Sequence, residues 1–164
     1  MTSLFVAKAV GLIAVYFSGL VLGTVLHELG HAFMALLATR QQVGVEIGRN
    51  ARARARLGRL RVLFGAKGLR YGFTRYDRSA VSRGRQTLVA LAGPLASLAG
   101  CVAFAWLAFA SSPESWLWVL WLGLSIANFR ILVVSLWPIA YRPDGPEGEV
   151  WLSDALDLWR LWRG

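Results

Sequence analysis

The sequence predicts an α-helical integral membrane protein with three transmembrane helices, a basic cytoplasmic loop that contains short strands, and a C-terminal interfacial helix. Of its 164 residues, 56% are hydrophobic, and the mean hydropathy is +0.50. The apolar residues form blocks of about 20 residues or more, which is the length of helix that crosses a bilayer. Of the 18 basic residues, 13 lie between Arg40 and Arg85. This composition disfavours a water-soluble enzyme and predicts one membrane domain over residues 1–164.

The first predicted span covers residues 4–38, which form a nearly unbroken apolar stretch. This length is short for two spans with a turn and long for one, so we expect one long helix or one slightly broken near Ser18-Gly19. A cleaved signal peptide is the alternative, because Lys8 precedes an apolar run. The hydrophobic stretch continues through Leu37 without a small-x-small cleavage site, which favours the membrane helix.

The second and third predicted spans cover residues 86–110 and 116–138, and Pro138 ends the latter. Short loops rich in Lys and Arg lie on the cytoplasmic side of membranes. We therefore place the basic loop 40–85 and the tail 139–164 in the cytoplasm, and the N-terminus outside.

The basic loop shows alternation typical of strands. Apolar residues alternate with small or polar ones in three places, around residues 43–47, 60–64 and 69–73. We expect two or three short strands at the membrane surface, with the arginines between them facing anionic headgroups. A nucleic-acid-binding patch is the alternative, but a folded basic domain with its own core is then expected. The tail segment 153–162 mixes Trp and Leu with charges, as in an interfacial amphipathic helix.

The most specific feature is His27-Glu28-Leu29-Gly30-His31, in a chain that has only 2 His. Two residues four apart on a helix differ by about 40° in direction, so both imidazoles reach one metal ion. Glu28 then points near enough to accept a proton from a metal-bound water. A buried hydrogen-bonded cluster without metal is the alternative. Ionisable groups within a span are costly and mark functional sites, which favours the metal site.

A catalytic zinc ion takes three protein ligands and keeps one position open for water. With no third His, the third ligand is a carboxylate or the single cysteine, Cys101. Asp144 stands out because Pro138 and Pro143 interrupt the third helix before it, and Gly145 permits a tight turn. An Asp-Gly pair is equally common in surface turns, so spacing alone leaves the third ligand open. The carboxylates beyond Glu28 are Glu46, Asp77, Glu114, Asp144, Glu147, Glu149, Asp154 and Asp157.

Three motifs together resemble the signatures of the site-2 protease family of intramembrane zinc metallopeptidases. They are the His27–His31 motif, Ala92-Gly93-Pro94-Leu95-Ala96-Ser97, and Leu136-Trp137-Pro138 followed by Asp144-Gly145. The resemblance covers about residues 15–150. It implies that His27, His31 and Asp144 bind one Zn²⁺ per chain and that Glu28 is the general base.

Further residues are predicted to line the active site or bind substrate. Where the family often has Asn, this chain has Ser97 in the second span and Ser135 in the third. Arg130 has two readings: it lines a water path or pairs with a carboxylate near the site, or it extends toward the cytoplasmic headgroups. The full set of these residues is Gly93, Pro94, Ser97, Asn128, Arg130 and Ser135.

The predicted function is an intramembrane zinc endopeptidase that cleaves a transmembrane or membrane-associated protein with metal-activated water. Strands of the basic loop would hold the unwound substrate by strand addition. The alternative is a catalytically silent membrane scaffold of the same fold, which would have no need of Glu28. The expected partners are a membrane protein substrate and anionic lipid headgroups, with no nucleic acid. The resemblance leads us to expect a bacterial plasma membrane.

Overall fold

The computed structural model describes residues 2–142 and 150–164. In chain order the elements are α1 Thr2–Ala38, β1 Val43–Leu57, β2 Leu60–Arg75, α2 Arg83–Ala110, α3 Trp116–Leu136, β3 Ala140–Tyr141, β4 Trp151–Leu152 and α4 Asp154–Arg163. Three of these helices are long and apolar enough to cross a membrane: α1, α2 and α3. The predicted fold class is confirmed. The first helix is continuous through Ser18-Gly19, and each span lies within about three residues of its predicted bounds.

Glycines let the three long helices approach one another closely. A Cβ on Gly30 of α1 would lie 2.6 Å from the backbone oxygen of Ala92 in α2. A Cβ on Gly23 of α1 would lie 3.3 Å from Oδ1 of Asn128 in α3. Small residues at such contacts are how helices pack in a membrane, where van der Waals contact replaces the hydrophobic driving force.

The two long strands form a sheet of four segments, because each strand bends. Residues 44–47 pair antiparallel with residues 72–75, from Gly44–Arg75 to Ile47–Gly72. The same stretch of β1 also pairs in parallel with residues 60–64, from Val43–Leu60 onward. Residues 53–57 close an antiparallel hairpin with residues 60–64. The order across the sheet is therefore 53–57, 60–64, 43–47 and 72–75.

The bends occur where glycine permits a positive φ. Gly48 has φ 74° in β1 and Gly68 has φ 63° in β2, a region that other residues rarely adopt. The prediction of two or three short strands was correct about strands in this loop but wrong about their length. The glycines bend the strands instead of ending them, and β1 continues through the arginine-rich stretch to Leu57.

The sheet packs against the ends of α1 and α2 that lie nearest the basic loop. Val43, Val45 and Ile47 are almost completely buried, and they form one core cluster with Ala32 and Ala35 of α1. The central position of residues 43–47 explains this burial, since sheet segments flank them on both sides. This core fixes the sheet beside the His27–His31 turn.

The tail returns to the helices through β3, β4 and α4. The two short strands pair antiparallel, with Ala140 opposite Leu152 and Tyr141 opposite Trp151. Ser153 caps α4, and its Oγ accepts hydrogen bonds from the backbone N–H of Leu156 at 3.3 Å and of Ile139 at 3.1 Å. Trp162, near the other end of α4, donates from Nε1 to Thr87 Oγ1 of α2 at 3.1 Å.

Candidate metal centre and active site

His27 and His31 lie one turn apart on α1 with their rings close together. Their Nε2 atoms are 3.1 Å apart, and both residues are buried at 7% exposure. The four-residue spacing places both rings on the same face of the helix. Two neutral imidazole nitrogens at this separation are suited to a shared metal ion.

The carboxylate of Asp154 completes the cluster. Its Oδ2 lies 3.1 Å from His27 Nε2, and its Oδ1 lies 3.1 Å from His31 Nε2. The three residues offer ligand atoms within 4.8 Å of one another. Burial alone would raise the pKa of Asp154, but hydrogen bonds from the two imidazoles lower it to about 2. Asp154 is therefore a carboxylate at neutral pH, as a metal ligand must be.

Both imidazoles are oriented by partners on α2. His31 Nδ1 donates to the backbone oxygen of Val89 at 2.7 Å, which directs Nε2 toward His27 and Asp154. His27 Nδ1 lies 2.9 Å from Ser97 Oγ. Gly93 lies against the His31 ring, where a Cβ would lie 2.6 Å from Cδ2. Such partners fix the orientation of metal-binding histidines.

Glu28 is held on the sheet side of the same turn. Thr74 Oγ1 donates to Glu28 Oε2 at 2.7 Å and lies 3.2 Å from the Glu28 backbone oxygen. Gly72 also contacts Glu28, since a Cβ there would lie 2.7 Å from Oε1. The residue is buried at 6% exposure. A carboxylate with one oxygen occupied by a donor keeps the other oxygen available to accept a proton.

A cavity of about 780 Å³ opens beside this cluster. It is bounded by α1, the last segment of β2, α3, the two short strands and α4. His27, Glu28, His31 and Asp154 all line it. In the part of the chain that the structure describes, residues 72–75 pair with β1 on one side, and no strand pairs along their other edge.

The remaining predicted site residues fall into two groups. Ser97 contacts His27, Gly93 contacts His31, and Arg130 and Ser135 line the cavity. Asn128 and Pro94 are not among the residues that line it. Asn128 is 1% exposed and packs between α1 and α2, with Nδ2 donating to Leu124 O at 2.9 Å. Pro94 is buried within α2.

Asp144 lies outside the described residues, so the structure says nothing of its position. The carboxylate that is brought to the histidines is Asp154, one of the eight that the sequence left open. The sequence signal that could have favoured Asp154 is the preceding Ser153. A serine that caps a helix fixes where the helix begins, and so makes Asp154 the first residue of α4.

Comparison with models of protein families gives one description, Peptidase M50B-like, over residues 3–140. The chain belongs to this family. The resemblance to site-2 proteases, read from the three motifs, is thereby confirmed, and the chain is an integral membrane protein of a peptidase family. A search of the curated proteins finds no match for it. The Peptidase M50B-like match covers the His27–His31 motif of α1 and ends before Asp154.

The donor set of this M50B-like chain fits zinc. Two imidazole nitrogens and one carboxylate oxygen form a known set of three catalytic zinc ligands. Bonds of about 2.0–2.2 Å in a tetrahedral arrangement place ligand atoms about 3.3 Å apart. The separations of 3.1 Å between the two Nε2 atoms and the Asp154 oxygens are close to this value.

Proposed function

We propose that this chain is an intramembrane zinc endopeptidase, in which His27, His31 and Asp154 bind one Zn²⁺ and Glu28 is the general base. The observation that carries the proposal is the convergence of these three ligand groups beside a cavity that Glu28 also lines. His27, Glu28 and His31 lie in an apolar helix, where ionisable side chains cost free energy and are retained mainly for a function.

The chemistry divides between the metal and the side chains. When bound, zinc lowers the pKa of a coordinated water toward about 7 and polarises the scissile carbonyl. Glu28 accepts the water proton at Oε1, since Thr74 occupies Oε2. The water oxygen that has lost this proton bonds to the scissile carbonyl carbon, and Glu28 donates the proton to the amine nitrogen as the C–N bond breaks.

The substrate is proposed to bind as an extended strand in the cavity. A helical peptide hides its carbonyl groups in its own hydrogen bonds, so the scissile segment of a transmembrane helix must unwind. The outer edge of residues 72–74, along which no strand pairs in the described part of the chain, offers backbone donors and acceptors to such a segment. Gly72 carries no side chain, which lets the segment approach Glu28 closely.

The proposed setting is a bacterial plasma membrane, with the N-terminus outside and the sheet and α4 on the cytoplasmic side. The hairpin tip supports this orientation, because Arg54, Arg56 and Arg59 are exposed there. Exposed Leu57 between them, at 79%, suits contact with a bilayer surface that carries anionic headgroups.

Zinc content of the detergent-purified full chain tests the metal centre. We expect about one equivalent in the wild type and a sharp loss in His27→Ala and Asp154→Ala. Asp144→Ala is the matched comparison: zinc retained there assigns the ligand to Asp154, and zinc lost only there assigns it to Asp144. Absence of zinc from folded wild-type protein supplied with the metal would contradict the proposal.

Cleavage is tested in membranes of cells that express either the wild type or Glu28→Gln. The expected result is a set of membrane-protein fragments with new termini in the wild-type sample alone. Zinc binding without any such fragment would favour the silent scaffold instead.

A further inference from the structure

Arg78 and Asp157 form an ion pair that joins the β2–α2 connection to α4. Arg78 Nη1 donates to Asp157 Oδ1 at 2.9 Å, and Nη2 donates to Oδ2. The guanidinium also lies over the ring of Tyr76, with its carbon 5.8 Å from the ring centroid. Two parallel hydrogen bonds fix both the distance and the direction of the carboxylate, which a single contact does not.

Asp157 and Asp154 lie on the same face of α4, three residues and about one turn apart. Both side chains line the cavity that holds the histidines. An ion pair at Asp157 therefore holds the turn of helix that presents Asp154 to His27 and His31. The side chains of Asp154 and Asp157 are similarly shielded, at 19% and 20% exposure.

Other hydrogen bonds among the described residues attach α4 at its ends. Ser153 binds Ile139 at the start of the helix, and Trp162 binds Thr87 near its end. A helix of 10 residues is only marginally stable by itself, so its orientation depends on such contacts. The Arg78 contact adds an attachment at Asp157, about one turn of helix from Asp154.

We propose that Arg78 is a positioning residue that sets the zinc affinity of the site through Asp157 and the first turn of α4. The inference rests on the proposed function, because it takes Asp154 as a zinc ligand. Asp154 is separated from His27 by 127 residues of chain, so its delivery to the histidines must be maintained by tertiary contacts. Partners that orient metal ligands typically contribute about 10–100-fold to affinity.

Zinc dissociation constants of the full chain in detergent, measured by competition with a chromophoric chelator, test this. We expect Arg78→Gln to bind zinc at least about tenfold more weakly than the wild type. Arg78→Lys should fall between them, because an ammonium group cannot form both hydrogen bonds of the fork. Arg160→Gln is the matched control, since Arg160 is an exposed arginine of α4 and the change in charge is the same. It should leave the affinity unchanged.

A double substitution separates positioning from a general loss of structure. In the Asp154→Ala background, Arg78→Gln should cause no further loss of zinc affinity if Arg78 acts through Asp154. The charge swap of Arg78→Asp with Asp157→Arg should recover part of the affinity. An equal further loss in the Asp154→Ala background, or equal affinities of the wild type and Arg78→Gln, would overturn the inference.

Hydrogen exchange of the metal-free protein gives a readout that does not depend on zinc. The α4 amides should exchange faster in Arg78→Gln than in Arg160→Gln, because the first turn loses its attachment. Unchanged α4 exchange would also refute the inference. Wild-type protein that binds no zinc would refute the proposed function, whereas wild-type binding without an effect of Arg78→Gln would refute only the role of Arg78.

Discussion

The hydroxyl of Thr74 donates to Oε2 of Glu28 over 2.7 Å, and so joins the edge of the sheet to the helix that carries His27 and His31. The contact links residues 46 positions apart in the chain. It fixes the Glu28 carboxylate beside the sheet edge that the proposed function assigns to the substrate.

Thr74→Val should lower cleavage by about tenfold or more while zinc content stays at the wild-type level. The valine keeps the shape of the side chain but removes the donor that orients Glu28. Cleavage of a wild-type substrate and zinc content would be measured on the same preparations. Thr74→Ser retains the hydroxyl and should keep most of the activity; if it were as inactive as Thr74→Val, orientation of Glu28 would not be the cause.

Gly93→Ala should weaken zinc binding by about 10–100-fold. The added methyl group would overlap the His31 ring, which must then turn away from Asp154. Gly84→Ala is the control on the same helix, because a Cβ there has no atom within 4 Å. Chelator competition on both variants would compare them, and equal affinities would show that the ring tolerates the methyl group.

Tyr141→Phe should lower the rate of cleavage by about 10²–10³-fold with little change in zinc affinity. Burial and the charges of Glu28 and Asp154 raise the pKa of Tyr141 to about 12, so the phenol keeps its proton at neutral pH. It lines the cavity and can donate to the negative charge that develops on the carbonyl oxygen. Tyr16→Phe, on α1 outside this cavity, should have no such effect, and a similar loss in both variants would exclude a specific role.

Arg130→Leu should reduce cleavage without loss of bound zinc. Arg130 lies in α3, six residues before the end of the helix, and lines the cavity. If Arg130 lines a water path, its guanidinium supplies the charge that attracts water into a span with no other charged residue. Expression level, zinc content and cleavage would be measured together. Unchanged expression and cleavage would exclude a role in the water path. Arg130 would then be assigned to contact with the cytoplasmic headgroups.

The sequence predicted the close approach of His27 and His31 because its geometry is local. A spacing of four residues places His27 and His31 on one face of any α-helix, independently of tertiary contacts. The three spans could be predicted for a similar reason, since length and hydropathy decide which helices cross a bilayer. Family membership, read from the same motifs, was confirmed over residues 3–140.

The carboxylate that lies beside the two histidines, Asp154, could not be chosen from the sequence because its position depends on non-local contacts. Asp154 reaches the histidines through the pairing of β3 with β4 and through the cap at Ser153. Each of these contacts has many equivalents in sequence, and spacing does not rank them. The bends of the sheet were missed for a related reason, since Gly48 and Gly68 permit either a turn or a bent strand.

The folding of one hairpin into four sheet segments leaves this sheet with two outer edges among the described residues, 53–57 and 72–75. The first carries exposed Arg54 and Arg56, and arginine along an edge opposes pairing with a second copy of the same chain through like-charge repulsion. The second lies beside Glu28. If the protein binds substrate strands as proposed, this arrangement limits aggregation through its own sheet, because the second edge is the one inside the cavity.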